Sequence, residues 1–402
     1  MSAGDREARR GRNRPTAALT TFGWGPERVS LVGRDRVAAA RRETEVKPTQ
    51  TLHEHGQSLW LDNITRAMID EGKIQRYIDT HSVTGLTSNP SIFDKAIGSG
   101  YYDEAIAAKA HAGLSGEDLF FELAIEDLRR AADEFLGVHE RSDGVDGWVS
   151  LEVSPLLAHD TQRTAAAAKE LHARAGRKNL FIKIPGTPEG NPAITECIAA
   201  GVPINVTLLF SADQYRASAD AYLQGVEQRL AAGLNPYVPS VASVFLSRWD
   251  VAVFDQVPAD LRDKLGLAVG LEAYQAYRQL LASDRMMRLQ NFGARPQRLL
   301  WASTGTKDPD APDTLYVHGL AAPFTINTIP DKTLEAFYDH GEVGDPMPAD
   351  GGDCQAMLAR FTAAGVDLAA LAARLQADGA SSFVTAWKEL LNRISEQSSA
   401  LT

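Results

Sequence analysis

The sequence predicts an α/β protein, a (β/α)8 or TIM barrel with appended C-terminal helices. Short apolar strands alternate with longer amphipathic segments, and eight such strands occur over roughly 280 residues, which suits a barrel of this kind. No repeat of about 20–50 residues and no interior linker marks a second domain. The predicted strands cover residues 59–63, 85–89, 148–153, 180–185, 204–210, 237–244, 299–304 and 320–328.

Helix-like segments lie between these strands, and several follow a residue that commonly caps a helix. Ser115, Asp160 and Ser211 stand where a side-chain oxygen can accept from free backbone N–H groups. The predicted helices cover residues 118–135, 161–175, 212–232 and 265–292, and two or three more occupy 353–398. An open doubly wound sheet is the competing arrangement. The sequence has no G-x-G-x-x-G after the first strand and no G-K-[ST], so neither a dinucleotide site nor a P-loop is indicated.

Composition excludes several classes of function. The 402 residues include 41 Lys and Arg against 52 Asp and Glu, and the net charge of −11 argues against a nucleic-acid or membrane-surface partner. No apolar run approaches the roughly 20 residues that span a bilayer. The two cysteines, Cys197 and Cys354, form no C-x-x-C pair, which argues against a disulfide framework or a thiolate zinc site. We therefore expect a soluble protein in a reducing cytoplasm.

The charge is distributed unevenly along the chain. Residues 1–47 contain eleven basic and six acidic residues and so carry +5, which leaves −16 for residues 48–402. The opening segment lacks the apolar stretch of a secretory signal, and no aromatic residues interleave with its run of arginines at 6–14 for base stacking. We expect residues 1–47 to be a basic, disordered extension and 48–402 to be one domain that includes the C-terminal helices.

One lysine interrupts a strand that a barrel would bury. Lys183 lies within the apolar run Leu180-Phe-Ile-Lys-Ile-Pro, and such a polar residue needs an explanation. Burial lowers the pKa of a lysine because the charged form is poorly solvated, and a neutral amine can attack a carbonyl carbon. A lysine that reaches solvent or pairs with a carboxylate explains the same spacing, so the pattern alone leaves both interpretations open.

Carboxylates and small polar side chains occupy similar places in other strands. Asp62 stands near the end of the first strand and Glu152 near the end of the third. Inward residues near the carboxyl ends of barrel strands converge on one site, and residues two apart share a strand face. The predicted amine-catalysis site therefore combines Lys183, Asp62 and Glu152 with the pairs Thr87 and Asn89, and Asn205 and Thr207.

A second group of residues suits an anion. The run Ser-Thr-Gly-Thr-Lys at 303–307 follows the seventh strand, where barrels often bind phosphate through backbone N–H groups and hydroxyls. Ser240 and Ser243 lie in or after the sixth strand, and Arg248 follows them with a guanidinium suited to bidentate contact. An ordinary turn and an Arg248–Asp250 ion pair are the alternative explanation.

No metal site and no thiol nucleophile are indicated. His53 and His55 precede the first strand without a matching cluster, and the other histidines are scattered. Neither cysteine has a consistent histidine partner. We expect no cofactor.

Four motifs in this order resemble those of transaldolase in its longer bacterial form: Leu59-Trp-Leu-Asp62, Thr84-Gly-Leu-Thr-Ser-Asn-Pro-Ser91, Phe181-Ile-Lys183-Ile-Pro and Ile204-Asn-Val-Thr-Leu-Leu-Phe-Ser211. The similarity runs from about residue 56 to the C-terminus. It implies a (β/α)8 barrel of the pentose phosphate pathway that uses no metal or organic cofactor. Such enzymes move a dihydroxyacetone unit from sedoheptulose 7-phosphate to glyceraldehyde 3-phosphate, giving erythrose 4-phosphate and fructose 6-phosphate.

The resemblance also implies roles for individual residues. Lys183 matches the Schiff-base lysine, Asp62 and Glu152 match the acid/base carboxylates, and Thr207 matches the residue that places the catalytic water. Binding of the dihydroxyacetone group and of the phosphate is implied for Asn89, Asn205, Thr87, Ser240, Arg248, Ser303 and Lys307. The family usually has Val-Asp after the catalytic glutamate, whereas this chain has Val153 followed by Ser154. The resemblance implies that this residue contacts the catalytic residues and not the substrate. We therefore expect the change to adjust the properties of the site without abolishing activity.

Two other functions compete with sugar-phosphate transfer. A fructose-6-phosphate-type aldolase on the same barrel releases free dihydroxyacetone, and the presence of Glu152 and the long chain favour transfer over this reaction. A catalytically silent sugar-phosphate-binding barrel is the second alternative, against which the set Lys183, Asp62 and Glu152 argues. The expected partners are sugar phosphates, and the expected assembly is a monomer or homodimer.

Overall fold

Eight parallel strands form the centre of the molecule in the computed structural model, which describes residues 46–401. The strands are hydrogen-bonded in the order β2-β1-β8-β7-β6-β5-β4-β3. Of the predicted basic extension, residues 1–45 lie outside the described part of the chain. The strands are β1 (Ser58–Leu61), β2 (Val83–Leu86), β3 (Val149–Glu152), β4 (Leu180–Pro185), β5 (Ile204–Leu209), β6 (Ser240–Phe245), β7 (Arg298–Ala302) and β8 (Ile326–Ile329).

The ring closes between β2 and β3 through a single parallel bridge. Gly85 pairs with Trp148, the Leu86 N–H donates to the Trp148 carbonyl at 2.9 Å, and the Gly147 N–H donates to the Thr84 carbonyl at 2.7 Å. A Cβ atom on Gly85 would lie 2.8 Å from both the Trp148 carbonyl oxygen and the Trp60 indole. The absent side chain therefore permits the closure. A closed ring excludes the doubly wound alternative and confirms the predicted barrel.

Helices follow the strands and cover the outside of the ring. Asp160 and Ser211 accept hydrogen bonds from Arg163 N–H and Gln214 N–H, as their predicted cap positions require, whereas the Ser115 side chain makes no such bond. The helices are α1 (Pro48–Glu54), α2 (Arg66–Asp70), α3 (Lys73–Thr80), α4 (Pro90–Ile97), α5 (Asp103–His111), α6 (Gly116–Glu134), α7 (Leu136–Arg141), α8 (Thr161–Ala175), α9 (Gly190–Ala200), α10 (Ala212–Ala231), α11 (Ser247–Val253), α12 (Leu265–Leu281), α13 (Asp284–Asn291), α14 (Leu315–Gly319), α15 (Asp331–His340), α16 (Cys354–Ala363) and α17 (Leu368–Leu401), with 3-10 turns at Pro155–Leu157 and Ala259–Leu261.

Predicted bounds differ from the observed ones by up to three residues, and two predicted elements differ by more. The helix predicted over 265–292 is two helices, because Ser283 caps a new one by accepting from the Met286 N–H at 3.2 Å. The eighth strand begins at Ile326 and not at Leu320. The Leu320 carbonyl instead accepts from the side chains of Gln57 at 2.7 Å and Trp301 at 3.1 Å, so this apolar stretch is a buried loop.

Large rings and one ion pair fill the amino-terminal end of the barrel interior. Trp148 stacks on Phe181 with ring centroids 4.1 Å apart, and Trp60 lies 6.2 Å from the same phenylalanine. Asp146 accepts from the Trp60 indole at 3.0 Å and pairs with Arg298 at 3.2 Å. Strand residues alternate between faces, so the next inward position lies two residues further along each strand. Toward the carboxyl end of the barrel, these inward positions carry polar side chains.

The last helix, α17, runs back across the barrel. Its Trp387 indole donates to Glu117 of α6 at 2.8 Å, and its Arg393 pairs with Asp94 of α4 at 2.6 Å. Within residues 46–401 no single helix is both long and apolar enough to cross a bilayer. The pair α16 and α17, bent by 91°, meets the length and composition requirement only when both helices are taken together.

Candidate active site

A cavity of about 240 Å³ opens at the carboxyl ends of the strands. Most of the side chains that the sequence predicts for the active site line this cavity. The predicted residues that line it are Asp62, Thr87, Asn89, Lys183, Thr207, Arg248, Ser303 and Lys307. The structure therefore assembles in one place residues that are separated by up to about 245 positions in the sequence.

Lys183 lies at the floor of this cavity, where its ammonium group has two partners. It forms an ion pair with Glu152, and it donates a hydrogen bond to the Ser88 carbonyl at 2.9 Å. The lysine is 5% exposed and the glutamate 7% exposed. Burial raises the pKa of Glu152, and the charge of Lys183 opposes that rise without cancelling it. Glu152 is thus a carboxylate with increased proton affinity in direct contact with the only amine on the cavity floor among the described residues.

Asp62 stands directly after β1 and faces the same cavity. Its Oδ1 atom accepts a hydrogen bond from the Thr87 hydroxyl at 2.8 Å, and the Thr328 hydroxyl lies 2.7 Å from that of Thr87. Burial raises the pKa of Asp62, while the charge of Lys183 and the Thr87 hydrogen bond lower it by less. Two carboxyl groups with raised pKa values therefore flank one lysine, an arrangement suited to moving protons at neutral pH.

Thr207 is buried, lines the cavity, and has a hydroxyl without a hydrogen-bond partner among residues 46–401. An unpaired buried hydroxyl is unfavourable unless a water or ligand satisfies it. This observation supports the role in water placement that the resemblance implied.

Asn205 lies below the cavity and not on its surface. It is fully buried, its amide donates to the Ser150 hydroxyl at 3.2 Å, and its carbonyl oxygen accepts from the Ser243 hydroxyl at 2.7 Å. Ser243 does line the cavity. Asn89 also lines it, and because its oxygen caps α4 by accepting from the Ile92 N–H at 3.0 Å, its amide N–H₂ is the part left for a ligand.

Ser240, a second predicted ligand residue outside the cavity lining, lies at the opposite end of the barrel. It is the first residue of β6, at the amino-terminal end of the barrel, where its hydroxyl donates to the Ile204 carbonyl at 2.7 Å and accepts from Gln297 at 2.9 Å. This position does not support the predicted contact of Ser240 with the phosphate. Ser243 is the serine of this strand that reaches the cavity, and it shares the inward face with Phe245, two residues further on.

Arg248 and Lys307 form the cationic wall of the cavity together with the Ser303 hydroxyl. Arg248 makes no ion pair within the described residues, and burial alone lowers the pKa of its guanidinium. The alternative pairing with Asp250 is absent, since Asp250 accepts from the N–H groups of Leu265 at 2.8 Å and Gly266 at 3.1 Å and so caps α12. A half-buried guanidinium without a counter-charge is a ready partner for an anion.

The structure also shows residues in and beside the cavity that the sequence did not indicate. Helix α17 contributes Ser382 and Phe383 to the cavity wall, although they are far along the chain from every motif. Ser154, at the position where the family usually has Asp, donates to Glu117 at 2.7 Å, and the Trp387 indole donates to the same carboxylate. Ser154, two residues after Glu152, thus joins β3 to a carboxylate of α6 that is also bound by α17. No group of three or more His, Cys, Asp or Glu residues suited to a metal occurs within 46–401.

Comparison with known proteins gives a consistent result. Residues 59–394 match the family described as transaldolase/fructose-6-phosphate aldolase. Curated relatives named transaldolase include that of Parafrankia sp. strain EAN1pec, 45% identical across 87% of this chain and 98% of the relative. That of Saccharopolyspora erythraea is 44% identical across 87% and 97%, and that of Thermobifida fusca is 44% identical across 88% and 99%. The similarity spans nearly the full length of each relative.

Proposed function

The chain belongs to the transaldolase/fructose-6-phosphate aldolase family, and we propose that Lys183 is the nucleophile with which it binds its ketose substrate. The enzyme is a transferase of the pentose phosphate pathway. It transfers a dihydroxyacetone unit from sedoheptulose 7-phosphate to glyceraldehyde 3-phosphate through a lysine Schiff base, giving erythrose 4-phosphate and fructose 6-phosphate. The single observation that supports the nucleophile is the buried contact of Lys183 with Glu152 at the cavity floor.

The first half-reaction uses both members of that contact. Glu152 takes a proton from the Lys183 ammonium, and its raised pKa makes this transfer less uphill than it would be to an exposed carboxylate. The free amine then attacks the ketose C2 carbon, forming a C–N bond while the carbonyl oxygen takes a proton. Loss of that oxygen as water gives the iminium, with Glu152 supplying the proton through a water held by the Thr207 hydroxyl.

Asp62 acts as base and then as acid when the carbon–carbon bond is broken and re-formed. It takes the proton of the C4 hydroxyl as the C3–C4 bond breaks, the bond's electron pair moves into the iminium to form an enamine, and C4 leaves as the aldehyde of the first aldose. The enamine carbon next attacks the aldehyde carbon of the acceptor, and Asp62 returns its proton to the new hydroxyl. Water adds to the resulting iminium, and the ketose departs as Lys183 regains its amine.

The cationic wall holds the phosphate of each substrate. We propose that Arg248 and Lys307 contact it with Ser303, while Asn89 and Ser243 orient the dihydroxyacetone hydroxyls. The support is the unpaired Arg248 guanidinium and the free Asn89 amide, both facing the same cavity. Asn205 acts through Ser243, to which it is hydrogen-bonded.

Borohydride reduction in the presence of fructose 6-phosphate tests the nucleophile. Reduction of the iminium fixes the three-carbon unit on the enzyme, and we expect mass spectrometry of the digested protein to find the adduct on Lys183. An adduct on another lysine, or none, contradicts the assignment. Turnover of fructose 6-phosphate with and without erythrose 4-phosphate separates transfer from simple aldol cleavage, since transfer requires the acceptor.

We further propose that the enzyme works in the cytoplasm on sugar phosphates alone, as a monomer or homodimer, without nucleic-acid or membrane partners. The net charge of −11 supports the absence of a nucleic-acid partner. Light scattering coupled to gel filtration measures the assembly directly, and a mass above that of two chains contradicts the proposal.

A further inference from the structure

Helix α17 makes a specific contact with the backbone beside the catalytic strands. The side-chain amide of Gln376 donates to two carbonyl oxygens at once, that of Leu208 at 2.9 Å and that of Gly186 at 3.1 Å. Leu208 lies in β5 directly after Thr207, and Gly186 directly follows β4, the strand of Lys183. One side chain of the last helix thus ties together the carboxyl ends of two strands that carry catalytic residues.

The backbone held by Gln376 is strained. Leu208 has φ of +59°, in the left-handed region that a bulky residue rarely adopts, and the pairing of β5 with β6 shifts register between Val206 and Leu209. A local irregularity of this kind redirects a neighbouring side chain and persists only when surrounding contacts hold it. The neighbour here is Thr207, whose hydroxyl faces the cavity without a partner.

Gly379 shows that α17 is fitted closely to the same place. It lies one turn after Gln376, and a Cβ atom there would lie 3.1 Å from Leu208 Cδ2 and 3.3 Å from Arg248 Nη1. A glycine within a helix costs about 1 kcal/mol relative to alanine. The close approach of α17 to Leu208 explains why this position has no side chain.

We propose that Gln376 is a positioning residue for catalysis, which holds the strained turn at Leu208 so that the Thr207 hydroxyl is aimed at the reacting centre. Gln376 touches no substrate; it acts through the backbone of Leu208 and Gly186. The inference rests on the role of Thr207 proposed above. Its consequence is that the steps in which water leaves or adds depend on a residue of the C-terminal helix nearly 170 positions from Thr207.

Gln376→Met tests this proposal, because methionine keeps the length of the side chain and removes the N–H donor. Gln397→Met is a matched control: Gln397 lies on the same helix and also donates to a backbone carbonyl, that of Ile97 at 3.1 Å, on the α4 side. We expect Gln376→Met to lower kcat about 10- to 100-fold, the loss that a small misplacement of a catalytic group produces. The KM for fructose 6-phosphate should stay near that of the wild type, and Gln397→Met should retain wild-type kcat.

A double-variant cycle shows whether the effect passes through Thr207. If Gln376 acts by aiming that hydroxyl, adding Gln376→Met to Thr207→Val causes no further loss of kcat. Three results would each overturn the proposal. They are a loss of kcat in the double variant equal to the product of the two single losses, an unchanged kcat in Gln376→Met, and a rise in KM alone.

The same cycle separates the two levels of the argument. A slow Thr207→Val enzyme with a normal Gln376→Met enzyme rejects only the positioning role, whereas a normal Thr207→Val enzyme rejects the water-placing role and this inference with it. Thermal melting verifies folding of each variant. If Gln376→Met does not fold, Gln376→Glu, which keeps the shape but offers no donor at neutral pH, takes its place, and the same kcat loss and the same non-additivity are expected.

Discussion

Lys183 and Glu152 occupy paired positions of neighbouring strands, and their side chains form an ion pair that is almost entirely shielded from water. Such a pair adds little net stability, because desolvation offsets the attraction, but removing one member leaves a buried charge. The arrangement therefore makes the nucleophile and its proton acceptor depend on each other, for folding as well as for chemistry.

The first prediction concerns Lys183→Met. Transfer is abolished, and at pH 8 the free energy of unfolding falls by roughly 3–5 kcal/mol, because Glu152 is left charged and unpaired. Without the lysine, which lowers the pKa of Glu152, that pKa rises further above its unfolded value, so the folded state takes up a proton and stability recovers as pH falls through it. Urea unfolding at several pH values measures this. The double variant Lys183→Met/Glu152→Gln should lack the recovery, and a recovery of equal size there would contradict the explanation.

The second prediction concerns the pH dependence of catalysis. Protonation of Asp62 abolishes its action as a base, and since its pKa is raised, kcat/KM falls on the acid side at a higher pH than for an ordinary carboxyl. Thr87→Val removes a hydrogen bond that favours the ionised form, worth about 1.5–3 kcal/mol, so the acid limb moves up by about one to two pH units. Thr195→Val is the control, because the Thr195 hydroxyl donates to the Ala221 carbonyl at 2.9 Å, away from Asp62. An acid limb that stays in place in Thr87→Val would disprove the coupling.

The third prediction separates phosphate binding from chemistry. Arg248→Ala should raise the KM for fructose 6-phosphate about 10- to 100-fold, the value of one or two charge-assisted hydrogen bonds, with a much smaller change in kcat. Inorganic phosphate should inhibit the wild type more strongly than the variant. The Arg248 guanidinium lies over the Phe245 ring, 5.4 Å from its centroid. Arg262→Ala is the matched control, since Arg262 lies over the Phe254 ring at 4.4 Å but outside the cavity. Equal effects of the two substitutions would remove Arg248 from the site.

The fourth prediction compares two serines of β6. Ser243→Ala leaves the Asn205 oxygen unpaired beside the cavity and should lower kcat/KM about 3- to 10-fold. Ser240→Ala removes the acceptor of the Gln297 amide at the other end of the barrel and should lower stability by about 1–3 kcal/mol while kcat/KM stays at the wild-type value. Steady-state kinetics measures kcat/KM of both variants, and urea unfolding measures their free energy of unfolding. The opposite pattern would restore the original assignment of Ser240.

The parts of the fold that depend on local pattern were predictable. β4 and α8 have the predicted bounds, because an apolar run and an Asp160 cap are visible in a few consecutive residues. The stretch from Leu320 to Thr325 is apolar enough to predict a strand, because burial makes a sequence apolar whatever its backbone conformation. Its hydrogen bonds go to distant segments, to the side chains of Gln57 and Trp301 and to the backbone of Ser58, Gly56 and Met347, which no local window contains.

The same limit applies to the site. Lys183, Asp62 and Glu152 stood out because a charge in a buried strand is conspicuous, whereas choosing between Ser240 and Ser243 required the true start of β6. Gln376 and Phe383 lie on a helix whose pattern reports only that it is amphipathic. Their relation to Leu208 and to the cavity follows from where α17 crosses the barrel.

The single bridge between Gly85 and Trp148 determines where the backbone hydrogen bonds of the barrel open most readily. Two backbone hydrogen bonds close this seam, whereas β4 and β5 share a full ladder, so deuterium should enter the amides of Leu86 and Gly147 before those of β4. The chain leaves β2 at this seam and carries Thr87 and Asn89 into the cavity. The side chains of Thr87 and Asn89 therefore follow a strand end held by this weaker seam, whereas Lys183 stands on a strand paired by full ladders on both sides.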